Sequence, residues 1–129
     1  MSMISSLPAG FSKILLALAR QPGQPISDRG IGYEIIAPLD LAGHVDTEVW
    51  RANAVLCKVT RFHRNEEEKL GRLVRRSDGV WAICYAVGGG DEESACHFDN
   101  EQAFVPSACV TITEKGAQRL YQVVSAHVV

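Results

Sequence analysis

The sequence predicts a mainly β domain: a small, partly open barrel of the SH3-like kind, with an OB-like barrel as the alternative. Three observations point there. Apolar and polar residues alternate along several short runs, and clusters of Gly, Pro, Asp and Ser separate those runs. The most clearly patterned stretch, residues 69–87, is also written as a β-hairpin. A chain of 129 residues, 47% hydrophobic and 22% charged, is one ordinary globular domain with enough length to bury a single core.

Taken in order, residues 1–10 read as a mobile tail. Phe11, Ile14, Leu15 and Leu18 then recur at helical spacing, which predicts a short amphipathic helix over residues 11–20, closed by Pro22-Gly23. Its apolar stripe must dock on the barrel or on a second copy, so these four residues are the candidates for an oligomer contact. Residues 21–32, rich in Pro, Gly, Ser and Asp, form the expected linker, and the barrel domain is expected to occupy residues 33–129. Residues 33–37 make a strand ended by Pro38. Asp46 can cap a short helix over residues 47–53, with Glu48 well placed near its amino end. Residues 55–63 alternate as a strand, and residues 65–68 form a charged loop.

The hairpin over residues 69–87 turns at Ser77-Asp78-Gly79, where Gly79 supplies the positive φ that a short loop needs. A three-residue loop sets Arg76 opposite Val80 and Leu73 opposite Ile83. One face then carries Gly71, Leu73, Trp81, Ile83 and Tyr85, with Arg75 near the rim, and Tyr85 covers Gly71. A two-residue loop would slip the pairing and change which residues share a face. The first register is favoured because it gathers the bulky apolar residues. Gly88-Gly89-Gly90 with Asp91-Glu92-Glu93 reads as a solvated loop, and residues 95–98 as a short strand. Residues 105–113 and 118–128 form a second hairpin, turned at Lys115-Gly116. Val110 and Ile112 share a face. On the last strand Leu120, Val124 and Ala126 are expected on one side, with Tyr121, Val123 and Ser125 on the other.

The elements GYEIIAPLD, VWRANAVLCKVTRF, GRLVRRSDGVWAICY and FVPSACVTI, closing on YQVVS, resemble those of a family of small uncharacterised bacterial proteins. The resemblance spans residues 15–125 and is carried by single residues spaced along strands. It implies a shared fold and no activity, and no catalytic residue is carried over from it.

Charge is the least uniform feature. Residues 51–76 hold eight basic residues against three glutamates, and residues 77–101 hold six acids with no Lys or Arg. One reading is a phosphate-binding face built from Arg61, Arg64, Arg72 and Arg76, with Trp81 or Tyr85 as a stacking platform. The competing reading neutralises the two blocks against each other within the fold. A formal net charge of −2 favours the second, because nucleic-acid domains carry a basic excess overall. Trp81 and Tyr85 are themselves better read as core, as large aromatics mostly are.

Four cysteines, Cys57, Cys84, Cys96 and Cys109, include no C-x-x-C pair, so they read as reduced thiols acting as small hydrophobes. Cys96-His97 is the only adjacent pair of zinc-ligating types, and strand neighbours point to opposite faces, so no metal site and no cofactor is predicted. The Gly88–Gly90 run lacks the Lys-Ser/Thr and helix amino end of a phosphate cradle. Cys57 with His63 is the least poor nucleophile–base pair, yet alternation separates them. No apolar run reaches the length of a membrane span, and the six apolar residues after Lys13 are short for a signal peptide, which predicts a cytoplasmic protein. The functional expectation is a non-enzymatic barrel that binds a protein or peptide, or forms a homodimer through residues 11–18. Nucleic-acid binding through residues 58–76 is the alternative, and a thiol- or metal-dependent protein using Cys57, Cys96 and His97 comes third.

Overall fold

Hydrophobic alternation is satisfied in this chain by a ring of strands. The computed structural model describes residues 10–19, 28–85, 96–98, 102–114 and 116–129. Its strands are β1 (Phe11–Leu18), β2 (Asp28–Pro38), β3 (Lys58–His63), β4 (Lys69–Arg75), β5 (Trp81–Tyr85), β6 (Cys96–Phe98), β7 (Cys109–Glu114) and β8 (Ala117–Val128). Each is antiparallel to its neighbour in sequence, and β1 pairs with β8 to close the barrel. The helix α1 (Thr47–Ala52) and a 3-10 turn (Ala54–Leu56) lie between β2 and β3. No helix among the described residues is long and apolar enough to cross a membrane.

The first segment corrects the sequence reading most. Residues expected as an amphipathic helix form β1, seated between β2 and β8, where Phe11 and Ile14 are fully buried and Leu18 nearly so. The physical reason is uniformity: the run from Ile14 to Ala19 is apolar at every position, so helical and period-two templates both fit it. Neighbours on both edges decide for the strand. Residues 28–32, expected in the linker, extend β2, so the barrel begins at β1 rather than at residue 33. Residues 1–9 of the expected tail, residue 20 of the expected helix, residues 21–27 of the expected linker and the Gly-Asp-Glu loop lie outside the described residues.

Closure also corrects the barrel type. A partly open barrel was expected, whereas β1 pairs on both sides, with β2 and with β8, and the ring of eight strands closes. The sequential order of eight strands likewise differs from the five-stranded Greek-key order of an OB barrel.

The interior is built from cross-strand pairs: Ile14 with Ile35, Leu16 with Tyr33, Ile35 with Val59, Leu73 with Ile83, and Val110 with Tyr121. All are buried. In β8 the pairing to β1 shifts, with Leu15 opposite Ser125 but Leu16 opposite Val123. The bulge leaves out Val124 and reverses the parity beyond it, so Ala126 sits opposite Ile14 and packs on the core. Ala126 therefore does not share the face of Leu120, as simple alternation predicted.

The β4–β5 hairpin adopts the favoured register. Arg76 N–H donates to Val80 O at 2.9 Å, Leu73 pairs with Ile83, and Gly79 has φ +87°. Tyr85 lies opposite Gly71, and a Cβ on that glycine would meet Tyr85 Cδ1 at 3.1 Å.

One barrel end is stopped by α1. Asp46 caps it, its carboxylate accepting from Val49 N–H at 3.2 Å, as the sequence predicts. Trp50 Nε1 donates to Leu73 O at 2.9 Å and its ring meets Trp81 edge-on at 5.1 Å. Phe98 and Phe104 pack similarly at 5.4 Å. The opposite end is where the candidate site lies.

Candidate functional site

Away from α1, the inward-facing positions change from apolar to polar. Arg61 stands two residues beyond buried Val59 on the same face of β3, opposite Tyr33 of β2 and Lys69 of β4. Glu114 continues the inward series Val110, Ile112 at the end of β7. Arg119 and Tyr121 occupy the facing inward positions of β8, opposite Ile112 and Val110. Strand alternation alone thus brings two arginines, two tyrosines and one glutamate to a single mouth of the barrel.

Glu114 is the hub, with its side chain 13% exposed. The hydroxyls of Tyr33 and Tyr121 both donate to its Oε2, the latter at 2.8 Å. Arg61 Nε lies 3.9 Å from Oε2, and Arg119 Nε lies 3.4 Å from Oε1. The two tyrosine rings meet edge-to-face at 5.2 Å beneath the carboxylate and are fully buried. Burial, and then the charge and hydrogen bond of Glu114, push the Tyr121 hydroxyl far up, so it stays protonated and acts as a donor. Burial opposes the charge on Arg61. Its hydrogen bond with Tyr33 and the charge of Glu114 outweigh that cost and hold the guanidinium still more firmly charged.

The arrangement is rich in donors. A carboxylate offers about four lone-pair sites, and each guanidinium carries five N–H groups. The two tyrosine O–H bonds both fall on Oε2, while the arginine contacts, at 3.4 and 3.9 Å, engage only a part of each guanidinium. Lys69 adds a third cation directly opposite Arg61, an arrangement that disfavours pairing when left uncompensated. Its ammonium sits 5.6 Å from the Tyr85 ring centroid. His63, on the same face as Arg61, has Nδ1 3.8 Å from Glu66. The hydroxyl of Tyr121, held as a donor, and the two guanidinium groups make this mouth a cluster of O–H and N–H donors around a single carboxylate.

The other sequence candidates are dispersed. Arg64 is exposed in the turn after β3, at the same end as Arg61. Arg72 is exposed on the outer wall between Lys58 and Cys84, and Arg76 sits at the far end with Nη2 3.1 Å from Asp78. Trp81 is 1% exposed, lying under Trp50 with the Arg75 guanidinium 5.0 Å from its ring centroid, so it offers no stacking platform. Tyr85 is half-buried over Gly71. Of the proposed oligomer contacts, Phe11, Ile14 and Leu18 are interior and only Leu15 faces outward, half-buried.

Cys57 is buried, its Sγ 3.7 Å from Asn53 O, and burial pushes its thiol up to about 11. Cys57 and His63 flank opposite ends of β3 and do not meet. Cys109 is exposed and Cys84 half-buried. Cys96 and His97 pair through the backbone with Glu114 and Thr113. Among the described residues, no group of three His, Cys, Asp or Glu side chains could hold a metal ion.

Sequence reasoning missed Glu114, Tyr33, Tyr121 and Arg119. A usable signal was present: Glu114 extends the parity of Val110 and Ile112, and Arg61 that of Val59, so charged residues stand where alternation places core. No protein-family model matches the chain, and neither a curated protein nor a solved structure does.

Proposed function

We propose that this chain is a non-enzymatic binding module that takes a small oxyanion, a carboxylate or a phosphate group, at the mouth formed by Arg61, Arg119 and Lys69. The observation that carries this reading is the surplus of cationic donors around one carboxylate: among the described residues, these three cations share the inward face with Glu114. Guanidinium groups match carboxylate and phosphate geometry, and a partly buried site raises the worth of each such contact.

A protein or peptide partner would need a free strand edge or the exposed apolar stripe expected over residues 11–18. Both are used within the barrel, since β1 joins β2 to β8. Nucleic-acid binding along residues 58–76 would need its arginines on one surface, whereas Arg61, Arg72 and Arg76 point to three different parts of the molecule.

The test is a titration of the full chain with sodium phosphate and with sodium benzoate, followed through the arginine Nε–Hε resonances by NMR. Saturable shifts at Arg61 and Arg119, lost in R61Q and R119Q, support the reading. Absence of a saturable shift with either anion at tens of millimolar overturns it. Salt-sensitive binding of a random single-stranded oligonucleotide that persists in both variants would overturn it in favour of the outer arginines.

A further inference from the structure

The contacts around Glu114 fall into two grades. The hydroxyl of Tyr121 sits at an ordinary hydrogen-bond distance of 2.8 Å from Oε2, and that of Tyr33 donates to the same atom. The arginines stand further off, Arg119 at 3.4 Å from Oε1 and Arg61 at 3.9 Å from Oε2. Charge-assisted N–H···O bonds settle at about 2.7–2.9 Å, and arginine–carboxylate pairs favour the bidentate form. Neither arginine reaches that geometry. Glu114 is therefore anchored by its tyrosines, while its hold on the guanidinium groups is loose and single-pronged.

We propose that Glu114 is a built-in occupant of the anion site, and that an incoming oxyanion binds by drawing Arg61 and Arg119 away from it. This rests on the anion-binding reading above and adds its regulation. A free ligand can offer each guanidinium two oxygens at full hydrogen-bond distance, which the tethered carboxylate does not. Glu114 stays where it is, bonded to Tyr33 and Tyr121, and keeps the two arginines compensated while the site is empty. An oxyanion must outcompete it, so apparent affinity is reduced by the fraction of molecules in which the arginines are disengaged. Weak anions are thereby excluded, and ligands with paired oxygens are selected.

The experiment compares wild type with E114Q, using inorganic phosphate and benzoate as probes. Glutamine keeps the size of the side chain and a carbonyl acceptor for the two hydroxyls but carries no charge. An arginine pair engaged nine times in ten predicts affinity at least about tenfold tighter in E114Q. That gain should disappear when R61Q is added. A second measurement needs no variant: the side-chain carboxyl carbon resonance of Glu114 in wild type should move on saturation with phosphate, as its arginine contacts are lost. This signal decides the matter if E114Q does not fold. Equal or weaker binding by E114Q, or a stationary Glu114 resonance while the arginine resonances shift, overturns the occupant role and leaves the anion site standing. Binding of neither probe by either protein overturns both.

Discussion

Gly32→Ala tests the feature on which the whole barrel depends, the pairing of β1 with β2. Gly32 lies opposite Ala17, and a Cβ at this position would come 1.9 Å from the Leu16 carbonyl oxygen and 2.9 Å from Phe62 Cζ. The phenyl ring can turn aside. The backbone oxygen cannot easily retreat, because β1 is held by β8 on its other edge. Close C···O contacts settle at about 3.3 Å or more, so the ladder must open by about 1.4 Å locally. Overpacking of this kind costs about 3 kcal/mol, and one weakened ladder bond adds about 1 kcal/mol. At about 4 °C per kcal/mol for a domain of this size, Tm should fall by about 15 °C. Gly116→Ala is the control. Nothing lies within 4 Å of its Cβ, and only the positive φ of +86° is penalised, at about 1 kcal/mol. Thermal melts followed by circular dichroism measure both. If G32A melts with G116A or above it, the β1–β2 register is wrong and the closed ring fails with it.

Three further outcomes are expected. Trp50→Ala, which loses the bond to Leu73 O and the edge contact with Trp81, should cost about 3 kcal/mol in urea unfolding, and Trp50→Phe about 1 kcal/mol. Asp46→Ala should cost about 1 kcal/mol by the same assay, since its side chain caps α1. Cys57 and Tyr121 both have folded-state values raised above the unfolded ones. Their stabilisation is therefore complete at neutral pH and is lost as pH climbs, first through the window from 9.0 to about 11 for Cys57 and then higher for Tyr121. Urea midpoints should fall above pH 9, with C57A removing the earlier part of the decline and Y121F the later part. A decline unchanged in both variants would refute these assignments.

Much of the fold was legible because local chemistry dictates it. Gly79 with Asp78 fixes the β4–β5 turn, Asp46 fixes the start of α1, and the alternation Val110, Thr111, Ile112 fixes the faces of β7. Two errors share a cause. The run from Ile14 to Ala19 has no polar residue to mark a face, and the bulge at Val124 is invisible to a rule that assumes unbroken alternation. Both are resolved only by the partner strand. The cluster around Glu114 escaped for a related reason, since Tyr33, Arg61, Glu114, Arg119 and Tyr121 come from β2, β3, β7 and β8, and no two of its charged members are neighbours in sequence.

The amino-acid order on its own determined the turns, the cap, the paired strands of each hairpin and the oily residues they bury, because each of these is settled within a few residues by backbone sterics and side-chain hydrogen bonds. Only the tertiary structure decided that β1 is a strand and that the ring closes. It also decided that Arg61 turns inward to Glu114 rather than outward to solvent. Those outcomes turn on which backbone donors and which carboxylate arrive from far along the chain, and their energies exist only once the ends of the barrel meet.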